Sequence, residues 1–141
     1  MKNQIPTIEQ ASEKEIIAFQ EQKLREMIAY IAEKSVFYQR LFKENNINPK
    51  DIQSIADLKR IPTTNKDDLQ QFGDDFLCVD KQMIVDYAST SGTMGTPVTF
   101  GLTDRDLDRL AYNESISLAC AGIQKGDIIQ LMTTIDRRFM A

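Results

Sequence analysis

One stretch of this chain concentrates residues able to handle an anion. Ser89-Thr90-Ser91-Gly92-Thr93-Met94-Gly95-Thr96-Pro97 follows one β-rich segment and precedes another. Its two glycines let the backbone bend and approach a ligand without Cβ collisions. The hydroxyls of Thr90, Ser91, Thr93 and Thr96, with consecutive backbone N–H groups, form a neutral cradle rich in donors, of the kind that holds phosphate. It is not the P-loop of NTPases, because no GxxxxGK[ST] occurs and no lysine follows the second glycine. On spacing alone, a Gly/Ser/Thr-rich hairpin turn explains the stretch equally well. Lys66 is the second candidate. It falls in the first turn of a predicted helix, where a cation opposes the helix dipole, so it either sits on the surface or meets an anion.

Other chemistry is excluded by what the chain lacks. There is no histidine, so neither a Ser-His-Asp nor a Cys-His machine can be assembled from these residues, and His-based zinc sites are absent. Cys78 and Cys120 are too far apart for a CxxC pair and read as small hydrophobes in a reducing compartment. No metal ligands and no catalytic residues are assigned.

The elements that must position the loop follow from periodicity and caps. Ser12 and Glu15 form a capping box ahead of Ile17, Leu24, Ile28 and Ile31, which predicts a helix over 13–34 with these four inward. A second helix starts at Ser35, carries Phe37, Tyr38, Leu41 and Phe42 on one stripe, and ends at Asn45-Asn46. Ser54 with Asp57, and Asn65 with Asp68, predict short helices near 54–60 and 65–72, with Leu58, Ile61, Leu69 and Phe72 inward. Met83–Ala88 and Val98–Phe100 read as strands flanking the loop, the second ended by Gly101. Thr103 and Asp106 cap a helix to about Ala121, with Gly122 as its C′ residue. Asp127–Met132 reads as a further, buried strand.

The 141 residues carry 17 Lys+Arg against 21 Asp+Glu, a net charge of -4, and 42% hydrophobic residues. That describes a soluble globular chain without the basic excess that nucleic acid or an anionic membrane requires. No signal-peptide core or membrane-spanning run is present, so the expected location is the cytoplasm. The expected fold class is α/β, as α+β within this stretch: a helical region over 1–82, then the first strands and helix of a larger α/β domain over 83–141.

Thr90-Ser91-Gly92-Thr93-Met94-Gly95-Thr96-Pro97 resembles the phosphate-binding loop [ST]-S-G-T-[TS]-G-x-P of the acyl-adenylate-forming enzymes. Ser35-Val36-Phe37-Tyr38, Asp57-Leu58, Ile61-Pro62-Thr63-Thr64, Lys66-Asp67-Asp68-Leu69 and Asp136-Arg137 follow in the order seen in the phenylacetate–CoA ligases. The loop departs from the usual form at Met94, commonly threonine, and Thr96, commonly lysine. The resemblance implies ATP, Mg²⁺ and coenzyme A as cofactors and a small carboxylic acid as substrate. It implies that Thr90, Ser91, Gly92, Thr93, Met94, Gly95 and Thr96 line the phosphates, and that Lys66 adds a charge to them. It also implies a fragment, inactive alone, because family members are several times longer. An apolar strand edge at Ile128–Met132 then predicts a homo-oligomer. Two alternatives stay open: an adenylate-forming relative with another acceptor, and a small helical interaction module whose glycine loop is only a turn.

Overall fold

The computed structural model describes residues 7–90, 97–130 and 132. They fall into two compact units, one spanning Ala11–Asp80 and the other gathering the residues from Lys81 onward with Thr7–Gln10.

The first unit is built on helix α1, Glu13–Lys34, which starts where its capping box dictates. Glu15 N–H donates to Ser12 Oγ at 3.4 Å, and Glu15 Oε2 accepts from Ser12 N at 2.9 Å. Ser35 closes α1 and opens α2, Val36–Glu44, in a single residue. Its N–H donates back to Ile31 O at 3.0 Å, and its extended backbone (φ -92°, ψ 120°) breaks the helix. Its hydroxyl accepts from Tyr38 N–H at 3.4 Å and donates to Asp75 O at 2.9 Å. Ser35 is fully buried, so both bonds are shielded from water.

Around this joint the aromatic stripe of α2 forms the core. Phe37 is buried and stacks on Phe76, with ring centroids 3.9 Å apart, and lies 6.0 Å from Phe72. The Arg40 guanidinium lies 4.4 Å from the Phe72 ring centroid and reaches Asp75 Oδ2 at 3.3 Å, joining α2 to the Gly73–Phe76 turn by charge as well as packing. Ile28 and Phe42 are buried, and Ile52 is fully so. Asn45 caps α2 and Asn46 takes a left-handed φ of 53°, a conformation asparagine tolerates better than most residues.

Two expectations for this unit are corrected. The 55–60 segment is a 3₁₀ helix, Ile55–Arg60, and Leu58 is 43% exposed instead of inward. With three residues per turn, the apolar positions do not line one broad face. Ile17 is 42% exposed too, and the turns at Pro49–Asp51 and Ile55–Arg60 pack on α1. Helix α3, Lys66–Phe72, forms as predicted behind its Asn65 cap.

The second unit holds an antiparallel hairpin, β1 Asp86–Ser89 and β2 Thr99–Leu102, followed by helix α4, Asp104–Cys120. Tyr87 pairs with Gly101 and Ala88 with Phe100. Residues 83–85 are not strand: Met83 closes a 3₁₀ turn, Lys81–Met83, and although Val85 N–H donates to Leu102 O at 2.9 Å, β1 begins at Asp86, the residue paired with the last residue of β2. Gly101 does not end β2, which runs on to Leu102. A Cβ on Gly101 would lie 2.6 Å from Ile84 Cδ1, so the missing side chain is what admits Ile84 against the hairpin. Thr103 and Asp106 cap α4 as predicted, and Gly122, with φ 86°, stands beyond its C-terminus.

The strand expected over 127–132 is not formed in its described residues, 127–130 and 132. Strand backbone needs a hydrogen-bonded neighbour, and among the described residues β1 and β2 pair only with each other. Ile128 is 99% exposed there. The edge expected to drive self-association is therefore absent from these residues.

Replacing Ser35 with alanine removes the α2 cap and leaves Asp75 O without its buried donor. The expected loss is about 1–3 kcal/mol, measured as a lower midpoint in urea unfolding with the slope unchanged. An unaltered midpoint would show that Ser35 is not the joint of this unit.

Candidate functional site

The two strands of the hairpin flank the glycine stretch in sequence. Beyond the last strand pair, Ser89 with Thr99, the chain continues its ladder by one more rung. Thr90 N–H donates to Val98 O at 3.0 Å. The return bond comes from Val98 N–H and ends on the Thr90 side chain, at Oγ1, also at 3.0 Å. Val98 is buried and Thr90 exposed. Ser91, Gly92, Thr93, Met94, Gly95 and Thr96 lie outside the described residues.

Thr90 is thus the candidate residue from this loop whose partners are known, and it sits at the neck. Sequence reasoning grouped its hydroxyl with those of Ser91, Thr93 and Thr96 as one cradle. It missed that the hydroxyl accepts the Val98 amide. The available signal was a β-branched hydroxyl residue ending one strand, opposite the valine that starts the next.

Lys66 is exposed and opens α3 in the Ala11–Asp80 unit, whereas Thr90 belongs to the other. Asn65 Oδ1 accepts from Asp67 N–H at 2.8 Å and from Asp68 N–H at 3.0 Å, and Asp68 Oδ2 accepts from Asn65 N–H at 2.8 Å. These amides are committed to the cap. An anion at this helix start would meet the Lys66 ammonium beside the carboxylates of Asp67 and Asp68.

Among the described residues no group of three His, Cys, Asp or Glu could hold a metal, and no helix is long and apolar enough to cross a membrane. Cys78 is half-buried and Cys120 exposed; burial pushes the Cys78 thiol up from its ordinary value, away from the reactive thiolate.

No profile of a known protein family matches the chain. A phenylacetate–coenzyme A ligase of Thermus thermophilus is 36% identical over 124 residues, which is 86% of this chain and 27% of the relative. One from Aromatoleum evansii is 31% identical over 127 residues, 88% of this chain and 28% of the relative. The chain is a homologue of the phenylacetate–coenzyme A ligases. Its fold agrees: a crystal structure of 2-hydroxyisobutyryl-CoA ligase, in complex with 2-HIB-AMP and CoA, superposes with a TM-score of 0.75 at 28% identity, over 82% of this chain and 26% of that one. The mixed helical and two-stranded architecture matches the N-terminal part of this adenylate-forming ligase fold. The chain spans little more than a quarter of the length of the ligases it matches.

The hairpin of this ligase homologue leads straight into the cap of α4, and that cap is a charged one. Asp106 accepts from Thr103 N–H at 3.1 Å and from Thr103 Oγ1–H at 2.8 Å. The Thr103 amide and hydroxyl bonds hold its carboxyl below the ordinary 3.8. Hydrogen bonds from Ser54 and Gln53 do the same for Asp57, and bonds from Ser12 lower Glu15 from 4.5. A carboxylate whose folded value is depressed stabilises the fold fully above its ordinary value, and that contribution is lost as the pH falls through the folded value. The melting temperature is therefore expected to be level above about pH 5 and to fall on acidification below 4.5. Asp106→Asn should reduce the acid dependence of the hairpin–α4 signals. An acid profile identical in wild type and variant would exclude this cap as a source.

Proposed function

We propose that this chain is the amino-terminal portion of an ATP-dependent acid–coenzyme A ligase of the phenylacetate type, acting in the cytoplasm in the breakdown of aromatic acids. The observation that carries the reading is its 36% identity with a phenylacetate–coenzyme A ligase across 86% of its length. In the first step a carboxylate oxygen of the acid attacks the α-phosphorus of ATP, giving an acyl adenylate and releasing pyrophosphate. In the second, the thiol of coenzyme A attacks the acyl carbon, forming the thioester and releasing AMP. Support for these two stages comes from the solved neighbour, which holds an acyl-AMP and CoA.

On this reading the large nucleotide-binding domain opens at residue 83, after a helical region that ends at 82. The hairpin brings Thr90 and Val98 together, so the segment between them starts and ends at one place. Backbone donors and the hydroxyls of Ser91, Thr93 and Thr96 then grip the β- and γ-phosphates, where charge accumulates as pyrophosphate leaves. Gly92 and Gly95 admit the phosphates close to the main chain, and Met94 fills a position without adding a donor. Mg²⁺, where bound with the nucleotide, would supply charge neutralisation at the phosphate oxygens. Lys66 contributes a point charge through its ammonium.

The 141-residue chain alone is expected to show no acid-dependent ATP–pyrophosphate exchange. Joined to the remaining part of the Thermus thermophilus ligase, in place of that enzyme's own first portion, it is expected to restore exchange with phenylacetate and not with 2-hydroxyisobutyrate. In that chimera, Ser91→Ala and Thr93→Ala should each lower kcat/KM for ATP by about tenfold to a hundredfold. Lys66→Ala should raise the KM for ATP by roughly twofold to fivefold. Exchange by the chain alone would refute its inactivity. Loop variants as active as the parent would remove the phosphate role.

A further inference from the structure

The two outer edges of the hairpin are unlike. Opposed residues in an antiparallel ladder alternate between hydrogen-bonded and non-bonded pairs. Thr90 N–H donates to Val98 O at 3.0 Å, which sets the phase: Ala88 with Phe100 is the next bonded pair, and Ser89 with Thr99 and Tyr87 with Gly101 are non-bonded. The main-chain N–H and C=O groups of Tyr87 therefore face outward from β1, and those of Thr99 and Gly101 outward from β2. On β1 the outward Tyr87 N–H is already taken. It donates to Asp86 Oδ1 at 2.7 Å, which also sets a charged group on that edge. On β2, Thr99-Phe100-Gly101-Leu102 holds neither a charge nor a proline, the usual devices that keep an edge from pairing. Among the described residues, β1 is its one strand partner.

We propose that the outer edge of β2 is a docking surface for a further strand, supplied by the ligase chain that follows residue 141. The inference rests on the reading of these residues as the amino-terminal portion of a longer ligase, and they span little more than a quarter of the ligases they match. The Thr99 and Gly101 groups supply the main-chain bonds of such an addition. The hairpin also lacks apolar cover. Ala88 and Val98 are buried, but Tyr87 and Phe100 are exposed, and two strands alone make a weak sheet. A second copy of this chain is the poorer occupant. Two independent chains must offset their lost translational and rotational freedom. An edge of four residues is far smaller than the surface that stable interfaces bury. A strand tethered in the same chain arrives at high effective concentration and avoids most of that cost.

The test compares amide hydrogen exchange, resolved to single residues, in the 141-residue chain and in its chimera with the remaining part of the Thermus thermophilus ligase. Acid-dependent ATP–pyrophosphate exchange is measured on the same chimera. The Thr99 and Gly101 amides are expected to exchange about a hundredfold more slowly in the chimera than in the chain alone. That protection is expected to be independent of protein concentration. Amides as fast in an active chimera as in the chain alone would overturn the docking edge and leave the ligase reading standing. Slowing at Tyr87 with none at Thr99 and Gly101 would overturn the choice of edge. Protection that appears in the chain alone and grows with its concentration would make a second copy the occupant and overturn the tethered strand. Protection in a chimera inactive with phenylacetate would support the docking edge while overturning the proposed substrate.

Discussion

Ser35 is where the helical unit acquires its shape. One residue ends α1, starts α2 and hydrogen-bonds to the backbone of the Gly73–Phe76 turn. A helix of 22 residues would otherwise run on as a single rod, because nothing in Val36–Glu44 is hostile to helix. The extended backbone of Ser35 turns the chain, and its hydroxyl satisfies a donor and an acceptor that the turn buries. The aromatic cluster depends on this geometry. Phe37 can stack on Phe76 only because the joint directs α2 toward the 73–76 turn, and Arg40 then covers Phe72 while reaching Asp75. Packing and polar satisfaction cooperate here.

The hairpin unit solves a different problem with similar means. Its ladder has two short strands, and such a ladder is weak by itself. A glycine at position 101 makes room for Ile84, and side-chain oxygens on Thr90 and Thr103 accept amides at the points where the backbone changes direction. The same device recurs at Ser12, Ser35 and Asn65. The four α-helices each start behind a small hydroxyl or amide residue, Ser12, Ser35, Asn65 and Thr103, whose side chain accepts an amide of the first turn.

For function, this economy makes the distinction between holding and binding a matter of geometry. Ser91, Thr93 and Thr96 have the same chemistry as Thr90. The Thr90 hydroxyl has a partner across the hairpin, the Val98 amide. The Asn65 side chain likewise occupies the Asp67 and Asp68 amides at the start of α3.

Local features were legible in the sequence because their causes are local. A cap and its partner stand three residues apart, so α1, α3 and α4 could be placed from Ser12/Glu15, Asn65/Asp68 and Thr103/Asp106. The glycine loop and the ordered segments around it were also legible, since residue type and order carry family resemblance without coordinates. The tertiary structure decided what depends on partners distant in sequence. Residues 83–85 and 127–130 have the composition of strands, yet a strand needs a run of residues paired with another backbone, and β2 ends at Leu102, the partner of Asp86, so it has no residue to pair with 83–85. Gly101 reads as a terminator until Ile84 is seen beside it. Leu58 and Ile17 are apolar, but whether either is covered depends on which segments fold back against it. The sequence determined where elements begin and which residues have the chemistry to meet an anion. Long-range contacts decided which side chains hold the frame, as the Thr90 hydroxyl does at the Val98 amide.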